Sequence, residues 1–144
     1  MKKHAFKTLT LVLALVMAFV IGVPASAGQL RASRELASCT VTMYADGNGK
    51  VTAEFTTVAV GVADEVGATK VVIQRKVGSS WVTAQTFTRS SYNNLIGQNR
   101  ISYSNEVTHN GTAGQQYRAI VTAYAKIGSG STSDDYTTNT VIAT

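Results

Sequence analysis

Proline is almost missing. The one proline among 144 residues, Pro24, lies within the first 27, so after it nothing breaks a strand ladder by withholding a backbone donor. Cysteine is as scarce: Cys39 stands alone, which excludes an intrachain disulfide. Only two histidines occur, His4 and His109, too few for a histidine metal cluster or a proton relay. No segment after Ala27 keeps a helical period. The only long apolar run, "LTLVLALVMAFVIGV" at residues 9–23, is shorter than the roughly 20 residues needed to cross a bilayer.

That run has another explanation. Lys2, Lys3 and Lys7 precede it and "PASA" follows, so residues 1–27 read as a signal peptide cleaved after Ala27, with the membrane met only through this segment before cleavage. Cleavage removes three of thirteen basic residues and none of the eight acidic ones, so the net charge falls from +5 to +2. A nucleic-acid partner then has no electrostatic support. Residues 28–38 read as a flexible lead, and residues 39–144 as a single domain large enough to form its own core. The expected location is secreted, extracellular or attached to a bacterial surface.

The remaining chain is rich in Val, Thr, Tyr and Ile, in short runs separated by Gly, Asn, Asp and Ser. Seven strands are expected: "CTVTMYA", "KVTAEFTTVAV", "TKVVIQRKV", "WVTAQTFTR", "RISYSNEVT", "QYRAIVTAYA" and "SDDYTTNTVIA". "DGNG" predicts a tight hairpin, "GSS" a three-residue hairpin loop, and "GVADEVGA" a crossover between strands two and three. Val51, Ala53 and Phe55 share one parity and Val58, Val60 and Val62 the other. A bulge at Thr56 and Thr57 would give them a common buried face. The rhythm predicts an all-β, seven-stranded antiparallel β-sandwich, with strands one, two and five in one sheet and the others in the second. A closed barrel is the main alternative.

"GTAGQQYRAIVTAYA" resembles the tyrosine corner of immunoglobulin-like and fibronectin type III-like modules, in which a tyrosine near the start of the sixth strand bonds the preceding corner. The resemblance implies a structural role for Tyr117 and an inward face of Ala119, Val121, Ala123 and Ala125. Ala119 stands where an immunoglobulin domain has its second cysteine, and Phe55 where a fibronectin-type module usually has tryptophan. The chain is also similar to small exported proteins of Gram-positive bacteria in "IQRKVGSSWVTAQTF" and "GQQYRAIVTAYA". That likeness implies a location and no activity.

Residues with chemical potential are few. His109, beside Asn110 and Gly111 in an expected turn, has no serine elbow to activate. Asp64 with Glu65, and Asp134 with Asp135, are strand neighbours that point to opposite faces, not dyads across a cleft. "DGNG" lacks the later oxygen ligands of a calcium loop. No catalytic residue, metal or cofactor is therefore expected. "LASC" at residues 36–39 resembles a lipobox, but "AGQLRASRE" separates it from the apolar run, which leaves Cys39 as a buried apolar side chain or an intermolecular disulfide. Trp81, Tyr124 and Tyr136 are the candidate binding residues, since exposed aromatics stack on sugars or anchor proteins. The alternative places Trp81 across the hairpin near Arg75 and Val77 as packing. The expected function is an exported, non-catalytic binding module for a protein or glycan, monomeric or weakly self-associating. Structural or self-associating, and carbohydrate-binding or hydrolytic, roles are the alternatives.

Overall fold

The computed structural model describes residues 34–144. The segment expected to be a signal peptide, residues 1–27, and most of the expected lead, residues 28–38, lie outside the described residues. Seven strands form one curled antiparallel sheet: β1 (Leu36–Gly47), β2 (Lys50–Val77), β3 (Ser80–Thr88), β4 (Ile96–Asn110), β5 (Gln116–Ile127), β6 (Gly130–Thr137) and β7 (Val141–Ile142). The total of seven matches the expectation, but the divisions differ. Expected strands two and three are one 28-residue strand, and the expected last strand is two.

"GVADEVGA" is thus not a crossover loop. Residues 63–67 keep extended backbone and pair with β4, through Ala63↔Arg100 and Gly67↔Ile96, while Glu65↔Lys126 and Gly67↔Tyr124 pair the same stretch with β5. The ladder on both sides holds the chain extended where its composition signals a break. Residues 50–59 run between β1 and β4; residues 70–77 run between β3 and β5. β2 therefore links two groups of strands, β1 and β4 on its first half, and β3, β5 and β6 around its second.

The expected bulge at Thr56 and Thr57 is also corrected. These residues pair in register with Thr40 and Cys39, and the irregularity lies further along, between Leu36 and Ser38 of β1. One alternation buries Val51, Ala53, Phe55, Thr57, Ala59 and Ala63, so Val60 and Val62 stay outside, 56% and 65% exposed. No shift is required because the inward positions after Phe55 accept a threonine and alanines. Thr57 is tolerated at full burial because its hydroxyl donates to the Gly67 carbonyl at 2.9 Å.

Three hairpins have two-residue turns. Asn48 and Gly49 both take positive φ (53° and 78°), the combination a type I′ turn needs, as "DGNG" predicts. Gly78–Ser79 and Gly128–Ser129 each put glycine at positive φ first. "GSS" is therefore one residue shorter as a loop than expected, which shifts the β2–β3 register.

Inner faces from both strand groups meet in one core, where Met43, Val51, Phe55 and Val107 pack with Val71, Ile73, Phe87, Tyr117 and Val121. A second cluster holds Leu36, Ala59, Ala63, Val66, Ala123 and Ala125. The small residues on β5 leave room for larger partners. Asn139 then ties the sheet's ends: its carboxamide accepts from the Met43 amide and donates to the Met43 carbonyl, both at 2.8 Å, as a strand neighbour would.

Candidate functional site

The outer face of β3, residues 70–77 of β2, β5 and β6 is built by alternation. Val71 and Ile73 are buried, which turns Lys70, Val72, Gln74 and Lys76 outward; on β5, Tyr117, Ala119, Val121 and Ala123 point in while Arg118, Ile120, Thr122 and Tyr124 point out. The two-residue turn pairs Lys76 with Trp81, so the indole does not pack against Arg75 and Val77.

At the Trp81 end, three side chains converge. The Arg118 guanidinium lies over the indole, 4.5 Å from the ring centroid, and its Nε donates to Gln74 Oε1 at 2.9 Å. Lys76 Nζ is 5.8 Å from the same centroid. All four side chains are half-buried. An aromatic ring attracts cations through its negative face, so one indole holds two like charges close together. The Glu65–Arg89 pair is the only ion pair among the described residues, so neither Arg118 nor Lys76 is neutralised by a carboxylate there.

Tyr124 lies six residues along β5 from Arg118, about 20 Å away at the rise of a strand. It neighbours Glu65 and Arg89, which form a two-pronged pair with one N–H···O contact of 2.8 Å. The Arg89 hydrogen bond is the main cause holding the Glu65 carboxyl below its ordinary range, with Tyr124 adding a smaller contribution. Tyr136 pairs with Val121 and packs against the second core cluster, on the inner side. The structure thus separates the three aromatic candidates: Trp81 and Tyr124 share a face but not a neighbourhood, and Tyr136 is on the other side.

No protein-family model and no curated protein matches the chain.

Tyr117 is 2% exposed, and its hydroxyl accepts a hydrogen bond from the Thr112 amide, five residues upstream, at 3.0 Å. Cys39 faces inward opposite Thr57, with Sγ 3.5 Å from Thr57 Oγ1. Burial pushes its thiol up, against a smaller lowering by that hydrogen bond, which leaves less of the nucleophilic thiolate. We expect native Cys39 to react with a thiol reagent at least tenfold more slowly than the unfolded chain, and reducing and non-reducing gels to show the same monomer band. Fast native labelling or a reducible dimer would contradict this.

His109 lies in β4, paired with Val51, and not in a turn. Its Nδ1 is 2.6 Å from Gln85 Oε1, and burial holds the imidazole below its ordinary range and hence neutral at pH 7. It borders a pocket of about 220 Å³ with Arg75, Thr83, Asn110, Thr112 and Tyr117. Asp64 accepts from the Gly128 amide at 2.7 Å and Asp135 from the Thr122 hydroxyl at 2.6 Å, so both acids close local structure. The sequence does not single out Arg118, because its contact with Gln74 spans 44 positions.

Proposed function

We propose that this chain is an exported, non-catalytic β-sandwich module of immunoglobulin-like or fibronectin type III-like kind, acting outside a bacterial cell by binding a protein or glycan through the Trp81 face. The signal-like segment supports export. The two groups of strands joined by β2, the shared core and the Tyr117 corner support the sandwich assignment. One observation carries the binding role: Trp81, Arg118, Lys76 and Gln74 form an ordered polar-aromatic cluster facing outward, with no carboxylate partner among the described residues.

The test is a glycan and protein array probed with the exported protein and with Trp81→Ala. Loss of tenfold or more in affinity for the bound probe is expected, because the substitution removes both the aromatic area and the support of Arg118. Binding unchanged in Trp81→Ala, or no binding to any probe, would remove this role. A self-associating role draws on a different observation: Glu54 and Glu106 are direct neighbours on the outer face of the first strand group, with Asp46 nearby, opposite in charge to the Trp81 face. Sedimentation across a concentration series distinguishes it.

A further inference from the structure

We infer that the ligand of the Trp81 face is an acidic polysaccharide, recognised through its carboxylates by Arg118 and Lys76; this rests on the binding role proposed above. A bare indole would favour neutral sugar rings, which stack on its open face. Here a guanidinium lies over the ring at 4.5 Å, so the cluster presents a fixed cation where a sugar platform was expected. Gln74 occupies Nε, and no hydrogen bond within the described residues engages the terminal nitrogens. Those nitrogens form a fork that matches a carboxylate. Restricting Arg118 before binding reduces the entropy lost when an anion arrives.

The rest of the face fits an extended polymer better than a folded partner. Lys70 and Lys126 continue the positive charge, Asp135 bonds the Thr122 hydroxyl and Glu65 is paired with Arg89, and the threonines of β3, β5 and β6 supply hydroxyls. Val72 and Ile120 are the apolar residues at its centre, less than the desolvated aromatic or aliphatic anchor that stable protein interfaces place there. A regular sheet face offers a chain of sugars hydroxyls and charges at successive positions without a deep pocket.

The experiment is affinity electrophoresis of the exported protein in gels containing polygalacturonate, dextran or poly-glutamate, with wild type, Arg118→Gln and Lys76→Gln, and thermal unfolding as the check on folding. Retardation by polygalacturonate is expected, weakening as salt rises, with little from dextran or poly-glutamate. Arg118→Gln should weaken it about tenfold or more, the loss of a charge-assisted hydrogen bond. Lys76→Gln should weaken it severalfold and serves as the readout if Arg118→Gln does not fold. Equal retardation by dextran that is lost in Trp81→Ala would overturn the acidic class and leave the face as a binding site. Equal or stronger retardation by poly-glutamate would overturn the polysaccharide in favour of an acidic protein. Concentration-dependent sedimentation abolished by Arg118→Gln, without retardation by polygalacturonate, would replace the glycan with the acidic face of a second copy. No retardation in any gel, or an unchanged response in both folded variants, would also overturn it.

Discussion

Gly67→Ala is expected to lower stability by about 3 kcal/mol, from positive-φ strain and backbone overlap together. Gly67 has φ of 151°, which side chains with a Cβ rarely adopt. A methyl group there would be driven into the Leu95 carbonyl oxygen and come within 3.1 Å of Ile96 Cα. Both obstacles are backbone, and neither can swing away as a side chain tip would. Gly67 is also paired on both sides, with Ile96 and with Tyr124, and its carbonyl accepts from Thr57, so moving it disturbs two ladders and a buried hydroxyl. Gly61→Ala is the control: no atom lies within 4 Å of its would-be methyl and its φ is not in the positive range. It should change stability by less than about 1 kcal/mol and can raise it, since alanine restricts the unfolded chain. Denaturant midpoints of the two variants decide the matter; a loss in Gly61→Ala as large as in Gly67→Ala would contradict the steric account.

Gly67 also shows what the sequence leaves illegible. "GVADEVGA" has two glycines and two acids, the composition of a loop, and local preference carries no trace of the β4 and β5 strands that keep it extended. The same cause explains Asn139, whose pairing with Met43 spans 96 positions. What depends on neighbours in sequence was readable. "DGNG" declares positive φ through its own residues, and the alternation from Tyr117 to Ala125 declares an inward face through its own spacing. Val60 and Val62 misled because burial was inferred from residue type, whereas the sheet leaves these valines outside. Trp81 was no more legible: a three-residue loop would set it beside Arg75 and Val77, the two-residue turn pairs it with Lys76, and whether it is a platform or a support depends on Arg118, which arrives from another strand.

The corner provides the second large effect, and two substitutions separate its parts. Gly111→Ala is expected to cost about 2 to 3 kcal/mol, an overpacking penalty, because its methyl would fall 2.7 Å from both Cζ and the hydroxyl oxygen of Tyr117 and 2.9 Å from the Gly49 carbonyl. The ring has nowhere to retreat: Tyr117 is buried, and the His109 ring stands 5.7 Å from it. Nor can the loop shift freely, since the Gly111 amide donates to Gly49 at 3.0 Å and the Gly49 amide to Thr144 at 2.7 Å. Tyr117→Phe removes only the acceptor for the Thr112 amide and should cost about 1 kcal/mol. Adding the alanine to the phenylalanine variant should then cost less than adding it to wild type, because the missing oxygen relieves part of the overlap. Strict additivity of the two denaturation midpoints would place the Gly111 effect elsewhere in the loop. Binding at the Trp81 face should survive both changes, because Tyr117 points into the core while Arg118, its neighbour in sequence, points out.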